Sequence, residues 1–261
     1  MSEQKEYVSV TIEEKIALIT INRPPVNALN VQLQNEIKEV FETLATRDDF
    51  GVVILRGGSE KAFIVGADIK MISELGTKEA YELSEGTKDI LKIIEDFDRV
   101  VIAAVNGLAL GGGCEVALAC DIRVADEGAI FGFPEVGLGL LPGAGGTQRL
   151  PRLVGTGKAK ELILTGDTVD VSEAKAIGLV ERVAPKGKAV PEAKKMAHRI
   201  LLRGPVAVAY AKKAINGGIN NTVEEGFKRE SQLFSALFTT QDKKEGIKAF
   251  IEKRNPEFTG K

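Results

Sequence analysis

Apolar residues recur along the chain at two spacings. Val8-Ser9-Val10-Thr11 alternates, and Ile16 to Ile21 is apolar apart from Thr20. The polar turn Glu13-Glu14-Lys15 between them predicts a pair of strands. After Asn30 the spacing changes. Leu33, Ile37, Val40, Phe41 and Leu44 recur every third or fourth residue, which predicts a helix capped by Asn30. Val52 to Leu55 reads as a short buried strand closed by Gly57-Gly58. Thr77 to Asp96 reads as a polar helix with Leu83, Ile90, Leu91 and Ile94 on one face. Val100 to Val105 is a β-branched run ended by Asn106-Gly107, hence a buried strand and a turn. A helix from Gly113 to Ala119 follows, then strands at Ile122 to Val124 and Ala129 to Phe131, then a helix beginning at Thr147 to Leu153.

Further on, Ser172 is read as the cap of a short helix, SEAKAIG, stopped by Gly178 and followed by a strand LVERV. From Val190 the pattern is helical throughout. Pro191 and Pro205 stand near helix starts, Thr222 to Thr240 is one long segment, and Asp242-x-x-Glu245 has the form of a capping box. The pattern predicts an α/β core over residues 1–195 and a helical C-terminal part over 196–261.

Composition narrows the function. Lys+Arg is 35 against Asp+Glu 37, a net charge of -2, which argues against a nucleic-acid or membrane-surface partner. A small anion held by a few local lysines stays open. Cys114 and Cys120 are too few for a Cys-rich metal site, and as reduced thiols they set the expectation of a cytoplasmic protein. The opening MSEQKEYVSV has no secretory h-region. The one apolar run of membrane length, Val100 to Asp121, contains Asn106, Glu115 and four glycines, which lipid would penalise.

The usual catalytic signatures are missing. VGTGKAK departs from a phosphate-binding loop because Lys158 is followed by Ala159, and GAGGTQR lacks the last glycine of a dinucleotide fingerprint. The one histidine, His198, shares a helical stretch with Lys194, Lys195 and Arg199, as on a solvated face. Carboxylates and backbone amides are left to carry any chemistry. Glu115 stands just after Gly111-Gly112-Gly113 at a helix start. There the first N–H groups have no intrahelical partner, the dipole adds positive charge, and no Cβ keeps a ligand away. Such a place suits a developing negative oxygen. The segments Lys61 to Ile69, Phe131 to Gly137 and Leu141 to Arg149 add a second glycine-borne amide, a second carboxylate at Glu135 and a glycine-rich loop.

Five motifs together, NRPPVNALN (Asn22 to Asn30), AFIVGADIK (Ala62 to Lys70), NGLALGGGCEVALACDIRVA (Asn106 to Ala125), FGFPEVGLGLLPGAGGTQRLPRLVG (Phe131 to Gly155) and AFIEKRNPEF (Ala249 to Phe258), resemble the enoyl-CoA hydratase (crotonase) superfamily over nearly the whole chain. The resemblance implies a spiral of ββα units with a C-terminal helical part that packs in trimers, commonly paired into hexamers. It implies addition of water across the 2,3 double bond of trans-2-enoyl-CoA thioesters to give 3-hydroxyacyl-CoA. Ala67 and Gly112 match the family's oxyanion-hole amides, Glu115 and Glu135 its two catalytic glutamates, and Gly143 the amide that holds the attacking water. Ala67, Asp68 and Ile69 match part of the CoA adenine pocket, and Phe234 and Lys253 match C-terminal CoA contacts. No cofactor or metal is implied, since CoA arrives with the substrate. The expected roles are an ionised Glu115 as base and a protonated Glu135 as acid.

The alternatives are double-bond isomerisation, or another acyl-CoA enolate reaction on the same scaffold. Isomerases usually keep only the counterpart of Glu135. An RNA-binding member would need more than the lysines of Lys186-Gly187-Lys188 and Lys194-Lys195. The loop Arg23 to Asn27 is one residue shorter than in many relatives, and Phe133 stands where some hydratases carry a polar residue.

Overall fold

The alternating hairpin at the start of the chain forms as its pattern predicts. In the computed structural model, which describes residues 2–261, β1 (Ser2–Gln4), β2 (Val8–Glu13) and β3 (Ile16–Ile21) pair antiparallel. The Asn30 side chain accepts a 2.9 Å hydrogen bond from the Leu33 N–H and caps α1 (Val31–Ala45). From there the chain alternates between two sheets. β4 (Val52–Gly57) joins the first sheet, and β5 (Ala62–Val65) starts the second before α2 (Ile69–Ser73) and α3 (Thr77–Glu95). β6 (Val100–Val105) and β7 (Leu108–Leu110) repeat the step before α4 (Gly112–Ala119). β8 (Ile122–Asp126) and β9 (Ile130–Gly132) repeat it again, followed by a 3-10 turn at Pro134–Leu138, α5 (Gly146–Val154) and α6 (Thr156–Thr165).

Each turn of the chain therefore lays one strand in each sheet and then a helix. This is the mixed α/β spiral the resemblance implied. β10 (Thr168–Asp170), α7 (Val171–Ala176) and β11 (Arg182–Ala184) complete the sheets. The large sheet has the order β1-β2-β3-β4-β6-β8-β11, and the small one β10-β9-β7-β5. Beyond the hairpin the large sheet is parallel, as are β9, β7 and β5. Such strands are covered on both faces, and β6 is buried along its whole length. Val101, Ala103 and Val105 face the main core with Phe63, Ile64, Ala109 and Phe131, while Val100, Ile102 and Ala104 face Ala189, Ala193 and Ala197. Those alanines belong to α8 (Ala189–Leu201), which packs on β4, β6 and β8, so the expected 195/196 division lies inside this helix. α9 (Pro205–Ile219), α10 (Val223–Leu237) and α11 (Gln241–Glu252) follow, with Pro205 at the first turn of α9 and α10 packed on α9.

Three local expectations are corrected. The cap of α7 is Asp170, whose carboxylate accepts from the Glu173 N–H at 2.9 Å, because Ser172 is already helical. Of the LVERV segment only Arg182 and Val183 are strand, as the start of β11 (Arg182–Ala184). Leu179 and Val180 instead donate to the Ala174 carbonyl and close the end of α7. The cap of α11 is Thr240, not Asp242. Asp242 is buried within the helix and accepts from the Thr259 and Gly260 N–H groups, while Glu245 pairs with Arg254.

Candidate active site

The small sheet decides where the motifs meet. Its three parallel strands β5, β7 and β9 end side by side at Val65, Leu110 and Gly132. The chain leaves them through Gly66-Ala67, Gly111-Gly112 and Phe133-Pro134-Glu135. The pairing continues past the strand ends: Gly66 N–H donates to the Leu110 carbonyl at 2.8 Å and Gly111 N–H to the Gly132 carbonyl at 2.9 Å. Segments far apart in sequence are thus held in register at the carboxyl edge of one sheet, the usual place for a ligand in such folds.

Glycine is required at two points here. Gly111 has φ +52, and a Cβ on it would lie 2.7 Å from Glu135 Oε1. A Cβ on Gly113 would lie 1.9 Å from the Ile64 carbonyl oxygen, so only glycine lets α4 start this close to β5.

Glu115 follows one turn into α4 and is 2% exposed. Its Oε1 accepts from the Ala144 N–H at 2.7 Å and the Gly146 N–H at 2.8 Å. Burial lifts its carboxyl above the ordinary value, against the pull of those two amides, Arg149 and Lys88. Glu135 stands in the 3-10 turn after β9. Its Oε2 is buried and has no hydrogen-bond partner among the described residues. Burial first, and the neighbouring Glu115 charge after it, push the Glu135 carboxyl up to about 7. The structure therefore brings the two expected glutamates together and gives them unlike surroundings. One accepts two amide bonds, which favour a carboxylate. The other has an orphan oxygen, which favours a proton.

The two expected oxyanion amides are also adjacent. Gly112 is the first residue of α4, where an N–H has no intrahelical partner. A Cβ built on Gly112 would lie 3.9 Å from the Ala67 nitrogen. The Gly66 carbonyl and the Asp68 N–H both bond to Leu29, so the Ala67 N–H between them faces away from Leu29. Gly143 lies in the loop that carries the Ala144 and Gly146 amides, and its carbonyl accepts from Ser84 Oγ at 2.6 Å.

The CoA candidates are spread more widely. Asp68 caps α2 through the Lys70 N–H and pairs with Arg23 at 2.7 Å, which holds its carboxyl below the usual range. Ile69, beside it, is exposed. Phe234 lies exposed on α10 against Phe238, with ring centroids 5.2 Å apart, and Lys253 ends α11. Among the described residues, no contact brings Phe234 or Lys253 to the two glutamates.

Supporting residues to which the sequence assigned no role in the site hold it in place. Asn27 is buried and donates to the Ala62 and Phe63 carbonyls, tying the 22–30 loop to β5. Arg23 donates to the Ala28 carbonyl and reaches Asp68. Arg149 joins Glu95 to the Ala144 carbonyl, and Ser84 holds Gly143. Phe133 is fully buried, and a Cβ on Gly146 would meet its ring at 2.8 Å, so it props the glycine loop from below.

Stability should report the Glu135 proton. Its folded value of about 7 exceeds the ordinary 4.5, so the native state binds the proton more tightly than the unfolded chain does. The stability it contributes is whole at low pH and is lost as pH rises from 4.5 towards 7. Glu135→Gln does not titrate. Its Tm should therefore gain on that of the native chain across this window and keep a constant lead above it. A Tm difference that is flat from pH 4 to 8 removes the assignment.

A model of the family described as enoyl-CoA hydratase/isomerase matches residues 11–261. The chain is 46% identical over 257 residues to a crotonyl-CoA hydratase of Syntrophomonas wolfei, covering 98% of this chain and 99% of that one. It is 45% identical over 246 residues to a short-chain-enoyl-CoA hydratase of Clostridium acetobutylicum, covering 94% of each. A crystal structure of an enoyl-CoA hydratase from Bacillus anthracis superposes with a TM-score of 0.94 at 40% identity, covering 98% of this chain and all of the other.

Proposed function

The chain belongs to the enoyl-CoA hydratase/isomerase family and is an enzyme that hydrates enoyl-CoA, and from that premise we propose how its own residues carry out the reaction. Attack of water at C3 of a conjugated thioester drives electrons onto the thioester oxygen. The Ala67 and Gly112 N–H groups receive that oxygen as its charge grows, the kind of stabilisation that acts in the transition state more than before it. Water is a weak nucleophile and needs a base. Glu115, fixed by two amides through Oε1, takes its proton. Carbon C2 needs an acid, and Glu135 gives up the proton it holds. The Gly143 amide helps hold the water.

The observation that carries this assignment is the contrast between the doubly bonded Glu115 oxygen and the unpartnered buried Oε2 of Glu135. Leu138, Leu140 and Leu141 are exposed between Glu135 and Gly143 and offer an apolar wall to the acyl group. The chemistry is complete without a metal or other cofactor. CoA is a handle whose remote contacts, at Ala67, Asp68 and Ile69, hold the acyl group in register.

The assembly we propose is a homotrimer or a hexamer built from two trimers, with residues 196–261 as its oligomerisation part and Phe234 and Lys253 reaching a neighbouring subunit's CoA. Phe227, Phe234, Phe238, Phe250 and Ile251 are all more than half exposed on α10, α11 and the turn between them, and apolar surface on this scale marks an interface. The two buried free thiols accord with a cytoplasmic setting, and hydration of enoyl-CoA accords with β-oxidation of fatty acids.

The test of the acid is a pH profile with crotonyl-CoA, read as 3-hydroxybutyryl-CoA formed. The kcat/KM of the native enzyme should fall as pH rises past about 7, where Glu135 loses its proton. The residual activity of Glu135→Gln should lack that alkaline limb. A limb that survives the substitution assigns the acid elsewhere, and a product in which the double bond has only moved means isomerisation.

A further inference from the structure

The amides that hold Glu115 belong to peptides whose carbonyl ends are also engaged. The Ala144 N–H, which donates to Glu115 Oε1 at 2.7 Å, lies in the same peptide plane as the Gly143 carbonyl, which accepts from Ser84 Oγ at 2.6 Å. The Gly146 N–H lies in the same plane as the Gly145 carbonyl, which accepts from the Gln148 and Arg149 N–H groups at the start of α5. The second peptide is thus held by a helix N-terminus. The first is held, across 59 residues of sequence, by one hydroxyl on α3.

We propose that Ser84 is a positioning residue for Glu115, acting through the Gly143–Ala144 peptide. Its hydroxyl fixes the plane of that peptide and polarises it, since a bond accepted at a carbonyl strengthens the bond its own N–H donates. The carboxylate is thereby held with one oxygen anchored and the other turned to the water. The proposal rests on the reading of Glu115 as the base. Ser84 is placed to do this because it is partly buried on the face of α3 that also carries Thr87, and Thr87 Oγ1 bonds Gln34 of α1 and pins the helix there.

The charged groups facing Glu115 come from α3, α5 and the turn after β9. Arg149 on α5 and Lys88 on α3 favour the carboxylate, and Glu135 opposes it from the turn after β9. The Cys114 thiol on its own helix stays neutral because burial raises its pKa, and β5 and β7 contribute no ionisable side chain. The Ser84 bond adds to this set without adding charge. Its removal should weaken the Ala144 N–H bond and make the base harder to ionise.

The experiment is steady-state kinetics across pH on the full chain with crotonyl-CoA, comparing Ser84→Ala, Ser84→Thr and Glu115→Gln. Ser84→Ala should lose about fivefold in kcat, the size of one neutral hydrogen bond, with KM changed by less than about twofold. The acid limb of its kcat profile should move to higher pH, and Ser84→Thr, which keeps the hydroxyl, should restore both. A fall in kcat with the limb unmoved, or one that threonine does not rescue, means a merely structural side chain and overturns the proposal. So does a Ser84→Ala enzyme with native kinetics beside an inactive Glu115→Gln. A Glu115→Gln enzyme that still turns over rapidly overturns the reading of the base itself, whatever Ser84→Ala does.

Discussion

Glu115→Gln and Glu135→Gln should each lose at least ~100-fold in turnover of a short enoyl-CoA, the range expected when a positioned base or acid is removed. Neither change should cost much stability. A glutamine at position 115 keeps an oxygen that can accept from the Ala144 and Gly146 N–H groups, so the glycine loop stays anchored. At position 135 the amide replaces a carboxyl that is already inclined to be neutral. What each variant loses is a proton transfer. The amide at 115 cannot take a proton from water, and the amide at 135 has none to give to C2. Because the two groups serve one addition, Glu115 at the water and Glu135 at C2, the double variant should be far less than multiplicatively worse than either single one. Steady-state kinetics with a parallel thermal melt would check this. Turnover near the native value in either variant, with the fold intact, would show that another group moves that proton.

The motifs could be read from sequence because each carries its own local reason. A helix start bared by glycines, a carboxylate one turn later, and a proline-led turn with a second carboxylate are visible without neighbours. The strands that join them are harder to see. β5 has four residues and β7 only three, too short for any period to show, yet their parallel pairing is what brings Ala67 beside Gly112. The supporting residues were hidden for a different reason. Ser84 and Arg149 sit on helices where serine and arginine are ordinary surface choices, and the bonds that tie them to the glycine loop go to backbone carbonyls, which leave no trace in a sequence. The caps show the limit of local pattern. Asp242-x-x-Glu245 has the form of a capping box, but Thr240 stands nearer the true helix start, and the C-terminal segment claims the Asp242 carboxylate through Thr259 and Gly260. Tertiary contacts decide between two plausible caps, and nothing in the local sequence announces them.

The largest loss should come from Gly112→Pro. A backbone donor can be removed only by proline, and proline usually breaks a helix. Gly112 is an exception, because it is the first residue of α4, where the missing N–H breaks no helical bond and the fixed φ suits the helix. Gly111 before it has φ 52 and ψ -124, an extended conformation of opposite hand that glycine adopts freely and that stays clear of the helical region proline forbids. The helix should therefore form. The added Cβ approaches the buried Leu29 Cδ1 methyl to 3.1 Å, so that methyl must give by a few tenths of an ångström. The N–H we assign to the thioester oxygen is gone, and ring carbon stands in its place. One lost oxyanion donor costs about 100- to 1,000-fold in kcat, and blocking the hole adds to it. Gly112→Ala is the control, since it adds the same Cβ beside Leu29 but keeps the N–H. A proline variant that melts like the alanine variant yet is at least ~100-fold slower places the loss in the missing donor. If the two variants fall equally in turnover, crowding at Leu29 is the cause, and the Gly112 amide has no part in holding the oxygen.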